Sequence, residues 1–321
     1  MSTSRIEKVA ILGGGVIGSS WATNFIWYGV SVTVYDIDEN CLKVAQDRIT
    51  GNLKYLAQKG IITSEKMIEA ISLITYTADI EDAVSDVQFI QEAGPEQYET
   101  KRALLADCDQ YAPSDAVFAT SSSGLLITEI AKYSKIPERC IGAHPYNPPH
   151  LIPLVEIGKG EKTSEETARK TYDFYRSLGK EPVILQKEAL GFIANRLSVA
   201  LYREAIDLVV KGVCSVEDID KAVSYGPGLR YALMGPNLIY QLGGGSYGIQ
   251  GILHHIGPSV EFWWADMADW KKWPEGWGEK AQKGVNEAMA NRPPEQGRTP
   301  EEIIKWRDDK LLELLKILGK L

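Results

Sequence analysis

His144 and Glu156 stand twelve positions apart in GAHPYNPPHLIPLVEIG (142–158), separated by a proline-rich turn and a short apolar run. An imidazole titrates near neutral pH, so it can take a proton from a hydroxyl and give it back. A carboxylate bonded to the far ring nitrogen fixes the tautomer and stabilises the imidazolium. Glu156 sits inside LVEI, where a carboxylate flanked by apolar residues needs a partner. Ser123 and Asn195 are donors of the kind that stabilise charge building on a reacting oxygen. Singly, each has a plainer reading: a histidine packed at a strand end, serines capping a helix, an amide satisfied at a helix end. Together they suit oxidation of a secondary alcohol, which needs a proton acceptor on the hydroxyl and a hydride acceptor on the carbon.

The hydride acceptor has its own signature. VAILGGGVIGSS places Gly13, Gly15 and Gly18 in a G-x-G-x-x-G spacing after a strand-like run and at the start of a helical one. The first glycine permits a tight turn, the second lets a diphosphate approach the backbone, and the third lets the helix pack on the sheet. The N–H groups of Val16, Ile17 and Gly18 open that helix and favour an anion. Asp36 ends the next strand-like run, SVTVYD, where it can accept from the adenosine ribose and repel a 2′-phosphate. Its neighbours Ile37 and Asp38 supply no arginine, so the expected cofactor is NAD rather than NADP.

These groups need a scaffold that brings strand ends together. KVAIL, SVTVYD, LITYT, VQFIQEA, AVFATSSS, CIGAH, LVEIG and PVILQ alternate with helical stretches, several of them polar. That alternation predicts an α/β fold: a doubly wound, Rossmann-type N-terminal domain with a parallel sheet. Ser123 and His144 follow two of these runs, at the carboxyl ends where such folds hold ligands. The Pro-Pro turn can bring Glu156 back beside His144. Residues 39–71 read as helical. Beyond about residue 187 no strand-like alternation returns, so the expected organisation is 1–187 for the nucleotide domain and 188–321 for an all-α substrate-binding and dimerisation domain. Thr299, Pro300 and Glu302 predict a capped final helix whose apolar stripe packs on a second subunit or on its own chain.

The chain has 321 residues and a net charge of −8, which argues against a nucleic-acid or anionic-membrane binder. No apolar run reaches the roughly 18 residues of a membrane span, and no secretory signal precedes the first strand. Four scattered cysteines without a C-x-x-C pair suit reduced thiols in the cytoplasm. No His, Cys and acidic residues share metal-ligand spacing.

FATSSSGLLIT (118–128), GAHPYNP (142–148), LVEIG (154–158) and GFIANRL (191–197), added to the glycine motif, resemble the L-3-hydroxyacyl-CoA dehydrogenase superfamily over nearly the whole chain. The resemblance implies His144 as general base, Glu156 as its orienting carboxylate, and Ser123 and Asn195 as hydrogen-bonding partners of the reacting oxygen. It also implies that Glu96 and Lys101, in EAGPEQYETK, lie near the nicotinamide and its ribose. Ser121 departs from the asparagine usual in the family. YGPGLRYALMGPN (225–237) departs from the turn of the acyl-CoA members and resembles the branch that oxidises free hydroxy acids. A free acid presents a carboxylate, which a guanidinium can bind through both oxygens, so Arg230 is the candidate anchor; a surface or interface salt bridge is its other reading. Trp263, Trp264, Trp270, Trp273 and Trp277 either pack helices or form an aromatic wall for a quaternary ammonium. The leading substrate expectation is L-carnitine, giving 3-dehydrocarnitine. L-gulonate, a short 3-hydroxyacyl-CoA, or a non-catalytic NAD-binding role are the alternatives. A homodimer is expected.

Overall fold

The eight strand-like runs form one eight-stranded sheet in the computed structural model, which describes residues 5–321. The strands are β1 (Lys8–Leu12), β2 (Ser31–Tyr35), β3 (Ile74–Thr77), β4 (Phe89–Glu92), β5 (Val117–Thr120), β6 (Cys140–Pro145), β7 (Leu154–Lys159) and β8 (Glu181–Leu185). Their spatial order is β3-β2-β1-β4-β5-β6-β7-β8. Helices α1 (Val16–Trp27), α2 (Glu39–Gln58), α3 (Ser64–Ser72), α4 (Ile80–Val84), α5 (Tyr98–Tyr111), α6 (Ile127–Ile130) and α7 (Glu165–Ser177) connect them. The helical stretch expected over 39–71 is therefore two helices, broken after Lys59 and restarted by Thr63, whose hydroxyl accepts from the Lys66 amide.

Every neighbouring pair is parallel except β6 with β7, which departs from the all-parallel expectation. Residues 146–153 are too few for the crossover a parallel connection needs, so the chain turns straight back. The return sets His144 directly opposite Glu156. Opposed residues of an antiparallel pair point to the same face, so the two side chains meet.

Both faces of the central strands are buried. On one, Ala10, Leu12, Ile90 and Phe118 pack with Val84, Leu105 and Cys108. On the other, aromatic rings of α1 and α7 pack on β4: Trp21 stacks on Phe25 at 5.4 Å, and Phe174 lies 4.7 Å from Phe89. Full burial of each such ring stabilises the fold by roughly 1.5–3 kcal/mol.

The chain divides into two compact units, one extending to Asn195 and including Lys320 and Leu321, the other Arg196–Gly319. The division falls after Asn195 rather than after residue 187. The intervening segment is bonded to the first unit: Glu188 accepts from the Thr128 amide at 3.0 Å, and Asn195 reaches the Ser123 carbonyl at 3.0 Å. The second unit contains most of α8 (Ala194–Val210), with α9 (Val216–Tyr225), α10 (Pro227–Tyr231), α11 (Pro236–Gly243), α12 (Gly248–Asp266), α13 (Trp277–Asn291) and α14 (Pro300–Ile317). Its core joins Ile206, Val209 and Trp277 with Trp270 packed against them. Thr299 and Glu302 form the expected capping box of α14, with Pro300 at its first helical position. Among the described residues, no helix is long and apolar enough to cross a membrane.

Gly18 tests how closely α1 must approach the sheet. A Cβ there would lie 1.8 Å from the Gly13 carbonyl oxygen and 3.1 Å from Ile11 Cγ2. Gly18→Ala is expected to lower the melting temperature by several degrees and weaken NADH binding at least about tenfold, because helix and glycine turn must both move. A scanning-fluorimetry and NADH-titration pair matching the wild type would contradict this packing.

Candidate active site

The glycine turn sits between β1 and α1 at the place where strand order reverses, between β1 and β4. Gly13 has φ 104°, a left-handed conformation that disfavours side chains. Its amide donates to Tyr35 O at 2.9 Å, and a Cβ on it would lie 2.8 Å from Ala93 O, so the turn rests on the end of β4. Gly15 is exposed and a Cβ there would meet nothing within 4 Å, leaving open backbone for a ligand. No side chain caps α1. The N–H groups of Val16, Ile17 and Gly18 precede the Ser19–Gly15 bond of 2.9 Å, as the free donors of a helix start. Asp36 Oδ2 accepts from Gly14 N at 2.7 Å and Oδ1 from Ile37 N at 2.8 Å. The carboxylate is thus fixed at the end of β2 with lone pairs to spare for a ribose. This cradle fits a dinucleotide diphosphate, and the neighbouring residues fit NAD.

Across β6 and β7, His144 Nδ1 lies 2.8 Å from Glu156 Oε2. Both are buried, at 4% and 1% exposure. The other carboxylate oxygen, Oε1, accepts from the Ile193 and Ala194 amides at 2.8 and 2.9 Å, at the start of α8. Burial pushes the Glu156 carboxyl up, but the His144 bond and the two amides together outweigh it and hold the group below the usual carboxylate range. The anion is therefore the stable form, and its hydrogen bond holds the imidazole with Nδ1 turned inward. Phe192 stacks on the His144 ring at 5.2 Å and 29°. Phe192 itself has φ 53°, which is strained for a bulky residue. Gly158 leaves it room, since a Cβ there would lie 2.9 Å from the Phe192 ring.

The serine loop after β5 is tied to the loop after β4. Glu96 Oε1 accepts from Ser122 Oγ and Ser123 N, both at 2.8 Å, and from Gly124 N at 3.0 Å. Lys101 Nζ lies 3.5 Å from Glu96 Oε2 and 2.9 Å from Glu92 Oε2. Glu92 is fully buried; burial raises its pKa, opposed by Lys101, Thr120 and the Gly94 amide. Asn195 Nδ2 donates to Ser123 O, which leaves the exposed Ser123 hydroxyl at the surface of the loop. Ser121 Oγ accepts from Gln91 Nε2 at 2.9 Å, and Tyr175 donates to Gln91 Oε1 from behind the sheet.

His144 and Glu156 are therefore joined, as are Ser123 with Asn195 and Glu96 with Lys101. Arg230 lies exposed on α10 in the second unit. Of the five clustered tryptophans, Trp270 and Trp277 go to that unit's core, where their indole nitrogens bond Asp207 and Tyr202. They are thus removed from any aromatic wall. Trp263, Trp264 and Trp273 are exposed, at 59%, 67% and 67%. Sequence reasoning missed Glu92 and Phe192. Glu92 had a signal, a carboxylate ending the apolar run FIQE; Phe192 had none, because its part depends on a backbone turn.

A nucleotide cradle at the reversal of strand order, together with a carboxylate-oriented histidine on the same sheet, defines the class: an NAD-dependent oxidoreductase. Family models agree. The NAD-binding domain of 3-hydroxyacyl-CoA dehydrogenase matches residues 8–189, and the C-terminal domain of the same enzyme matches 191–288. The chain belongs to the 3-hydroxyacyl-CoA dehydrogenase family. An L-carnitine dehydrogenase from Oceanobacillus iheyensis is 35% identical over 315 residues, 98% of each chain. A 3-hydroxyacyl-CoA dehydrogenase from Gibberella moniliformis is 37% identical over 323 residues, 99% of this chain and 97% of that one. Among solved structures, 5-formyl-3-hydroxy-2-methylpyridine 4-carboxylic acid 5-dehydrogenase, an NAD-dependent dismutase, matches with a TM-score of 0.80, 29% identity and 97% of each chain covered.

The Glu156 carboxyl, held low in the folded state, contributes stability that is present above the usual carboxylate range and lost as pH falls through its lowered value. Glu156→Gln removes that titration. The melting-temperature gap between wild type and variant is expected to narrow steadily as the pH is lowered from about 7 toward about 3. A gap independent of pH would show that the carboxylate carries no such linkage.

Proposed function

We propose that this protein oxidises the 3-hydroxyl of a small free hydroxy acid, L-carnitine foremost, to the 3-oxo acid. The observation that carries the proposal is the buried His144–Glu156 pair in register across β6 and β7. With Nδ1 bonded to the carboxylate, Nε2 is the ring nitrogen left for the substrate hydroxyl and takes its proton. Glu156 stabilises the imidazolium that results, without needing the proton itself. The Ser123 hydroxyl and the Asn195 amide steady the substrate oxygen as charge gathers on it. Gly13, Gly15, Val16, Ile17, Gly18 and Asp36 would hold NAD, which when bound would supply the hydride acceptor for the substrate carbon. Glu96 and Lys101 hold the serine loop beside the nicotinamide end.

The choice of a free acid rests on Arg230 and on the relatives. Carnitine-oxidising relatives match the full length of the chain, and the solved neighbour's name describes a carboxylic acid. A guanidinium binds such a carboxylate through two parallel hydrogen bonds. Exposed Trp263, Trp264 and Trp273 offer ring faces to a trimethylammonium. A second reading, a short 3-hydroxyacyl-CoA, is favoured by the Gibberella relative. A turnover panel of L-carnitine, L-gulonate, 3-hydroxybutyrate and 3-hydroxybutyryl-CoA separates them. L-carnitine is expected to give the highest kcat/KM. Arg230→Met is expected to lower that value about a hundredfold, while turnover of a neutral ester falls far less. Preference for the CoA ester, or equal losses on acid and ester, would remove Arg230 and the free-acid reading.

We infer also that the protein is a homodimer. The second unit bares Leu197, Val199, Leu242 and Phe262, apolar side chains that a second copy of the chain would cover. Light scattering on a sizing column is expected to return twice the chain mass of 35.5 kDa. A monomer mass at micromolar concentration would rule this out.

A further inference from the structure

The segment that joins β6 to β7 is held by polar side chains that the proton transfer does not use. His150 lies in this segment, with 8% exposure. Its amide donates to Ser20 Oγ at 2.9 Å, and its Nδ1 lies 2.7 Å from the same oxygen. One hydroxyl can satisfy both, accepting from the amide and donating to the ring. On the other side, Lys180 is 4% exposed. Its ammonium donates to Pro149 O and, at 3.3 Å, to Ile152 O. The same ammonium lies 5.6 Å from the ring centre of Trp21. Ser20 and Trp21 are consecutive residues of α1, the helix whose first N–H groups face the nucleotide site.

We propose that Ser20, His150 and Lys180 form a latch coupling the nucleotide helix to the catalytic hairpin, so that His150 and Lys180 are positioning residues for hydrogen transfer. Hydride transfer needs the substrate carbon and its acceptor in a fixed relation, and misplacement is costly. The acceptor is registered by α1; the proton acceptor is registered by β6 and β7. Ser20 joins the two directly, one turn along α1 from Val16. Lys180 closes the other side, because it precedes β8, which pairs with β7 at Leu154 and Glu181. The Glu181 amide also bonds Pro153 O at 2.8 Å. A buried ammonium and a buried imidazole cost desolvation that apolar side chains of the same size would not. Burial pulls the Lys180 pKa down to about 7, a measure of what the buried ammonium costs. Three residues, Ser20, Lys180 and Glu181, converge on one eight-residue connection and locate where that cost is offset.

The inference rests on the reading of His144 and Glu156 as the working pair for its turnover arm alone; the exchange arm needs only NADH. Hydrogen–deuterium exchange is measured on the full chain with and without saturating NADH, for wild type and for Ser20→Ala, a mild change inside a helix. In wild type, NADH is expected to slow exchange both in α1 and in residues 146–156. In Ser20→Ala, the slowing is expected to persist in α1 and vanish from 146–156. Turnover of the best panel substrate is expected to fall about tenfold in kcat, with the NADH Kd within about twofold of wild type. His150→Phe keeps a ring of similar size and serves as the second variant. The double variant is expected to lose no more kcat than the worse single one, as for two ends of one contact. Slowing at 146–156 that survives Ser20→Ala, no slowing there in wild type, or additive losses in the double variant would each overturn the latch. Loss of turnover in step with loss of NADH affinity would also overturn it. If exchange behaves as expected but no panel substrate turns over, the latch stands and the proposed activity fails.

Discussion

One hydrogen bond governs the arrangement of this molecule's active face, the 2.8 Å contact between His144 and Glu156. It is buried, so neither partner has water to fall back on. The carboxylate is made tolerable by three donors: the imidazole and the two amides that open α8. The imidazole is in turn held by one carboxylate oxygen and one aromatic face. Remove the antiparallel return between β6 and β7 and the pair has no reason to meet.

The same economy of buried charge recurs two strands away, at the end of β4. Glu92 and Lys101 neutralise each other almost without solvent contact, and Glu96 spends one oxygen on three donors of the serine loop. Carboxylates therefore order the loops and strand ends here: Glu156 the β6–β7 pair, Glu96 and Glu92 the serine loop, and Asp36 the glycine turn. A net charge of −8 reflects, in part, acids employed as internal fasteners. In each case the fastener works because backbone amides at loop and helix starts lack partners of their own.

Much of this was legible before any coordinates. The glycine spacing, Asp36 and the eight apolar runs announce a doubly wound sheet, since they are local patterns with a fixed physical meaning. His144 and Glu156 were legible as types, and the Pro-Pro turn hinted at their meeting; register alone turned the hint into a pair. Phe192 and His150 were obscure because their roles arise from contacts 34 and 130 positions away along the chain. The tryptophans illustrate the opposite error. Five of them crowd into one stretch, yet a helix and the turn after it send Trp270 and Trp277 inward and leave Trp263, Trp264 and Trp273 out. Clustering in sequence says nothing about which side of a turn each ring will take.

The short return between β6 and β7 also dictates how this chain can be rebuilt. Its connections elsewhere are crossovers that each carry a helix. Between Pro145 and Leu154 the situation differs, because side-chain direction alternates along a strand with period two. Adding or deleting one residue there and shifting the pairing to match would aim residue 156 at the opposite side of the sheet from residue 144. Libraries that vary the length of this stretch by one lose the pairing of residues 144 and 156, and those that vary its composition must leave His150 in place to keep its contact with Ser20.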